Sequence, residues 1–306
     1  MDVSSVRCID ATQFINTPAR KRSCIRKWKE TWLHLHIDSC PDYMKDNSFV
    51  CTGYRPEMSK SAAALTIFRW HNESLNIWSH GLACIAFVII MTRFVLLDTI
   101  LIGDKPKWPL IMYHLGCIYV CGMSALFHTM CCVSSRNYSL FRKLDFSGII
   151  CVMWTMFWPN LWFASASVWG SDAATWKIIY ITTASIISLT SLIMTMMPIF
   201  QRNGYHVLRV ATFGLNGLLG IATLLHISIA CSDERVKTAE YMAIGSILIH
   251  GLGASFYALR VPERLGAVGQ SHIFDYIQGH TIFHIFTIIA FILYNESMMR
   301  LWNLKP

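Results

Sequence analysis

The sequence predicts an all-α membrane protein, a seven-transmembrane-helix bundle with a cytosolic N-terminus and its C-terminus outside. Three observations predict it. Hydrophobic residues make up 54% of the 306 positions and charged residues only 14%, against roughly 25% charged in an average soluble domain. Such a chain cannot coat a globule with charge, so its long apolar runs read as bilayer spans rather than a core. Seven runs approach the length of about 20 residues that crosses a bilayer. Finally, 11 of the 26 Lys and Arg residues precede the first run, a bias that marks a cytosolic flank.

In chain order, residues 1–75 form a polar and basic lead-in and 76–306 the transmembrane domain. The lead-in has no apolar stretch of the kind that opens a secretory signal. Its cluster Arg20, Lys21, Arg22, Arg26, Lys27 and Lys29 reads as a flank attracted to anionic membrane lipids, and an amphipathic helix is expected around Ile25 to Ile37. The net charge of +8 does not point to nucleic acid, because the apolar bulk leaves little surface for a basic stripe. The spans fall at about 77–97, 108–132, 146–169, 176–200, 207–230, 242–261 and 280–300. Charge or helix breakers separate them, among them Asp104 to Pro109, Ser134 to Lys143 and Pro262 to Gly269. Gly214, Gly217 and Gly220, and Gly251 with Gly253, suit close helix packing in lipid. Trp78, Trp108, Tyr241 and Trp302 near segment ends read as interface anchors. The eleven cysteines show no C-x-x-C pairing in the lead-in, which argues against a zinc finger. Cys131 and Cys132 stand where palmitoylation is possible in principle, although ordinary buried thiols are the simpler reading.

The strongest polar signal opens the seventh span, where His280 and His284 at i and i+4 share one helix face at a separation that a metal ion bridges. The second span ends with Ser124 and His128, again on one face, and the third opens with Asp145. Ionisable groups inside spans are costly and usually functional. Because spans alternate in direction, His128, Asp145, His280 and His284 share one level near the cytosol. Three histidines that leave a fourth position open are the arrangement of a catalytic zinc site, whereas structural sites fill all four.

At these residues the chain resembles the progestin and adipoQ receptor family, which includes the adiponectin receptors and membrane progestin receptors. The resemblance rests on the run Glu73 to His80 with Asn76 and Trp78 inside it, on Ser124, His128 and Asp145, on Val261-Pro262-Glu263-Arg264, on His280 and His284, and on Gly53-Tyr54-Arg55 before the first span. It implies a Zn2+ cofactor held by His128, His280 and His284, with Asp145 holding a water on the metal and Ser124 close by. It also implies a receptor for a lipid or for a hormone such as a steroid, with ceramide hydrolysis in some members. Two departures stand out. Gly279 occupies a position where a serine commonly precedes the histidine pair, and the stretch from Pro262 to His280 is longer than usual.

The expected function is therefore a zinc-containing receptor in the plasma membrane or in the Golgi or endoplasmic reticulum. Its possible ceramidase-like activity would use Asp145 to orient or deprotonate water and Ser124 to support the oxyanion. The alternative is purely structural zinc, with a cytosolic signalling partner recruited by the lead-in. Glu73, Asn76 and His80 are expected to order the lead-in by hydrogen bonding. Asp275 is expected to complement a helix dipole, His272 to be solvated, and Arg260, Glu263 and Arg264 to form a loop charge cluster.

Overall fold

The computed structural model describes residues 34–97, 106–201, 205–269 and 272–304. The basic cluster Arg20 to Lys29 lies outside them. So does most of the expected amphipathic helix, whose described tail is an isolated bridge residue, Leu35, followed by a 3-10 turn, Ile37–Ser39. After a short helix α1 (Lys60–Leu65) come α2 (Ser74–Leu97), α3 (Trp108–Met130), α4 (Ser135–Trp169), α5 (Ala173–Met196), α6 (His206–Ala230), α7 (Glu234–Leu259), α8 (Glu263–Gly269) and α9 (Gly279–Asn303). Seven of the helices are long and apolar enough to cross a bilayer, and no named strand occurs among the described residues.

Two spans begin well before the apolar run that announces them. Helix α4 starts at Ser135, not near 146, because the Ser134 hydroxyl caps it by accepting from the Asn137 N–H at 3.3 Å. Its first turns carry Arg136, Arg142, Lys143 and Asp145, which dilute hydropathy without opposing helix. Likewise α7 starts at Glu234 rather than near 242, capped by Asp233, whose carboxylate accepts from the Arg235 N–H at 2.8 Å. Side-chain acceptors satisfy first-turn N–H groups that have no partner within the helix.

Helix α4 is the hub, packing on α3, α5, α6 and α9, and α9 closes the bundle against α7 and α2. The close approaches come from a few small residues. A Cβ at Gly148 would lie 2.8 Å from the Val120 Cα, and one at Gly253 would meet the Phe286 side chain. Gly251 and Gly214, by contrast, face open space and do not serve as contact points. Large apolar side chains line the outer faces, among them Ile89, Ile178, Leu189, Leu218 and Ile229, as a helix surrounded by lipid requires. Trp302 is fully buried rather than an interface anchor, and Cys131 and Cys132 are buried thiols.

The lead-in folds across one end of the bundle. Leu35, Cys40, Met44, Val50 and Tyr54 form a small apolar cluster with Ala63 and Cys132. Leu35 and Tyr54 exchange backbone hydrogen bonds at 2.7 and 3.3 Å. Gly53, at φ 80°, lets the chain turn so that its carbonyl accepts from the Asn72 N–H at 3.0 Å. The ends of α3 and α7 and the starts of α4 and α9 meet beneath this cover, which defines the histidine end of the molecule.

Candidate metal centre

Alternating helix direction brings the C-terminal turn of α3 beside the N-terminal turn of α9, so His128 approaches His280 and His284. One ring nitrogen from each of the three lies within 4.8 Å of the other two. The Nε2 atoms of His128 and His280 are 3.1 Å apart. The edge of a tetrahedron with Zn–N bonds of about 2.0–2.1 Å is roughly 3.3 Å, so the spacing suits two ligands of one ion.

The distal nitrogens are held in the manner of metal-binding imidazoles. His128 Nδ1 lies 2.7 Å from the Glu73 carboxylate Oε2 and donates to it, which leaves Nε2 as the bare nitrogen. Asn76 Nδ2 donates to the same oxygen at 2.7 Å, and Thr281 Oγ1 donates to Asn76 Oδ1 at 2.7 Å. One asparagine thus ties α2 to α9 and to the His128 support. Ser79 Oγ donates to the Asn76 carbonyl at 3.1 Å, so it accepts from His284 Nδ1, also 3.1 Å away. That arrangement again leaves Nε2 free to bind. The chemistry of the donor set therefore fits zinc: three imidazoles, two of them held from behind by Glu73 and Ser79.

Glu73 is held in its charged form. Burial pushes its carboxyl up, but the adjoining His128, the Asn76 amide and the Arg55 guanidinium outweigh that and hold it well below the usual carboxylate range. Arg55 is itself buried. Its guanidinium donates to the carbonyls of His128 at 2.5 Å and Thr129 at 3.0 Å, and to Thr66 Oγ1 at 2.7 Å. A cation on these last carbonyls of α3 complements the helix dipole and fixes the turn that carries His128.

Ser124 and Asp145 lie close by on α3 and α4. With His80, His280 and His284 they line a cavity of about 50 Å³. His80 stacks face to face on His284, ring centroids 3.5 Å apart and 8° from parallel. Val152, Val210, Phe213, His250 and Phe291 wall this cavity and also a second one of about 680 Å³ that runs between α4, α6, α7 and α9. A third cavity of about 100 Å³ on the lead-in side is lined by Glu73, His128, Arg142, Asp145 and His280.

The placement of the expected residues divides three ways. His128, His280 and His284 come together, with Ser124 and Asp145 beside them. Glu73 and Asn76 do more than order the lead-in, since Glu73 holds His128 and Asn76 holds Glu73. His80 faces His284. Two loop residues have roles that sequence reading misassigned. Asp275 is a buried clasp rather than a helix-start charge: its oxygens accept from the Cys51 and Thr52 N–H groups and from Thr52 Oγ1 at 2.8, 3.2 and 2.5 Å. Glu263 is likewise buried, accepting from the Gly279 N–H at 2.6 Å and from Asn47 Nδ2 at 3.0 Å. It anchors the first turn of the helix that bears two of the histidines. The glycine at 279 has a steric reason, because a Cβ there would lie 2.5 Å from the Phe256 carbonyl oxygen and 2.7 Å from that of Val261. The signal that was available for Ser79 and Arg55 lay inside the quoted motifs. His272, expected to be solvated, is exposed but pairs with Asp275 at 3.1 Å.

Residues 68–294 match a family model described as haemolysin-III related. Among curated proteins the chain is 32% identical to the adiponectin receptor protein of Drosophila melanogaster over 281 residues, 90% of this chain and 61% of that protein. It is 27% identical to heptahelical transmembrane protein 1 of Arabidopsis thaliana over 82% of this chain and 75% of the other. Identity to progestin and adipoQ receptor-like protein 1 of Caenorhabditis elegans is 26%, over 87% of this chain and 60% of that one. The chain thus spans about three fifths of the length of the fly and nematode relatives.

Proposed function

The chain belongs to the haemolysin-III-related family, together with relatives named adiponectin receptor and progestin and adipoQ receptor-like, and from that premise we propose that it is a zinc-containing seven-helix receptor that takes an N-acyl lipid such as ceramide into its bundle and slowly hydrolyses the amide. The observation that supports this reading is the shared wall between the histidine cavity and the 680 Å³ cavity. A lipid lying in the larger space carries its amide to Asp145 and the histidines without leaving the bilayer. Purely structural zinc gives that adjacency no purpose.

His128, His280 and His284 would hold the zinc, with Glu73 and Ser79 fixing the first and third imidazoles. Bound there, zinc supplies a Lewis acid that polarises an amide carbonyl and lowers the pKa of water to about 7. Asp145 accepts the proton of the attacking water. Ser124 Oγ donates to the carbonyl oxygen as negative charge develops on it. Water oxygen bonds to the acyl carbon, the C–N bond breaks, and the proton held by Asp145 passes to the leaving nitrogen. The products are a fatty acid and a free amine. The apolar walls keep the acyl chain in place and bulk water out.

The test is fatty-acid release by the purified protein in lipid, comparing the wild type with Asp145→Asn, which keeps the shape and removes the base. The variant is expected to retain zinc and to lose about 10–100-fold in rate. Equal rates, or no release from either protein with zinc fully bound, would overturn hydrolysis and leave a receptor with structural zinc. The same reading turns the histidine end toward the cytosol, where a signalling partner has access to the lead-in. Asn72 and Asn137, which stand in N-x-S sequons near that end, should then carry no glycan. A glycan found by mass spectrometry on Asn137 reverses the orientation.

A further inference from the structure

The 680 Å³ cavity has a far end, and that end is polar in a way the rest of its wall is not. Asn216, Thr223, Ser246 and Tyr294 all line the cavity, and each directs its side chain to a protein partner. Asn216 Nδ2 donates to Ser191 Oγ, Thr223 Oγ1 to the Leu219 carbonyl, Ser246 Oγ to the Ala243 carbonyl and the Tyr294 hydroxyl to the Met156 carbonyl. Asn160 differs. Its Nδ2 donates to Glu240 Oε2 at 2.7 Å, while its Oδ1 is buried with no hydrogen-bond partner among the described residues. The same holds for Glu240 Oε1. Asn160 is 2% exposed and Glu240 is 0% exposed, so two acceptor oxygens of one pair lie unmet in the interior of the bundle. Leaving a buried polar atom in that state is unfavourable, which makes the pair a poor structural choice on its own.

Asn160 stands fifteen residues beyond Asp145 on α4, about 22 Å along the axis at 1.5 Å per residue. That separation matches an extended long-chain acyl group. Taking the cavity as the seat of the lipid, on which this inference rests, we propose that Asn160 and Glu240 form a second recognition pole. The pole binds a hydroxyl carried at the far end of the lipid chain. A hydroxyl is a group that serves Asn160, the member of the pair that lines the cavity. Its one proton donates to Asn160 Oδ1. A terminal methyl leaves that oxygen unmet, and a terminal carboxylate has no proton to donate. Asn160 touches the ligand, and Glu240 is the positioning residue that turns the Asn160 carbonyl toward the cavity.

The experiment measures equilibrium binding of ω-hydroxyhexadecanoic acid and of hexadecanoic acid to the full-length protein in lipid nanodiscs. The wild type is expected to favour the hydroxy acid by about tenfold, the worth of one good buried hydrogen bond. Asn160→Leu is expected to bind hexadecanoic acid as the wild type does and to lose the preference. Equal affinities in the wild type overturn the pole and leave the cavity as a lipid seat, whatever becomes of the variant. A preference that survives in Asn160→Leu also overturns it, because the hydroxyl is then read elsewhere. Failure of the wild type to bind either acid overturns the cavity reading and the pole together.

Discussion

The two ends of the bundle bury polar side chains under the same constraint, absence of water, and meet it differently. At the histidine end the supports form a connected chain: Thr281 holds Asn76, Asn76 and His128 hold Glu73, Ser79 holds His284, and Arg55 holds the carbonyls of the turn that carries His128. Beside it, both His80 nitrogens and Ser124 Oγ have no hydrogen-bond partner among the described residues. At the far end the helices are fixed by rings and by side chains that bond to backbone. Phe94 and Phe163 pack edge-on against Trp302, the Tyr113 hydroxyl donates to the Phe291 carbonyl at 2.7 Å, and Ser297 Oγ donates to the Ala239 carbonyl at 2.6 Å. Between these contacts the Asn160–Glu240 pair keeps two unmet oxygens. The difference teaches that connected polar networks occur here where imidazole orientation is to be fixed, because an unsupported ring rotates and its lone pair would no longer point at the proposed ion. Where only helix spacing must be kept, ring packing suffices.

Three changes and one control, Glu240→Gln, test that contrast, the largest expected effect first. Replacing His280 and His284 together by Ala should abolish stoichiometric zinc, read by metal analysis of the purified protein, and lower its thermal midpoint, since α3 and α9 lose their shared ion. Full zinc occupancy in that variant contradicts the metal centre. Glu240→Gln, at the other end, should leave zinc content untouched. Next, Glu73→Ala removes a support and no ligand, so zinc should bind about 10–100-fold more weakly while stoichiometry is regained at higher zinc concentration. Unchanged affinity would mean that the ring of His128 is held by packing alone. The smallest effect belongs to Gly279→Ala. Its new methyl runs into two carbonyl oxygens, and overpacking of this kind costs about 1–3 kcal/mol. A lower thermal midpoint with zinc stoichiometry retained is the expected result. A gain in stability would show that α9 has slack against α7.

The fold class was legible because seven apolar runs exceed what a soluble core needs, and the histidine cluster was legible because alternating spans bring one end of α3 to the start of α9. Helix starts were less so. Hydropathy falls where Arg136 to Asp145 begin α4 and where Glu234 to Glu240 begin α7, yet both stretches are helical, since caps and not hydropathy decide where a helix begins. Glu73 was visible as part of a motif, but its bond to His128 depends on how the lead-in crosses the bundle end, a contact across 55 positions that no local pattern encodes. Glu263 reads as a loop charge and Asp275 as a helix-start charge for the same reason. Asn160 is a single polar residue in an apolar run and Glu240 one of several charges that precede another, 80 positions on, so their pairing emerges only from the packing of α4 beside α7.

The clasp at the histidine end has a consequence for biosynthesis. Asp275 accepts from residues 51 and 52, Gln278 Nε2 donates to the Asn72 carbonyl, and Ser79 meets His284, all across more than 200 positions. A ribosome therefore releases the lead-in long before the partners that will hold it exist. Until α9 is threaded into the bilayer, Cys51, Thr52 and Asn72 lack the partners that Asp275 and Gln278 supply, and His128 stands without its two companions. On the proposed function, metal loading would be among the final events of maturation, and a chain truncated before α9 would expose the whole unfinished seam to the quality-control machinery of the membrane in which it is made.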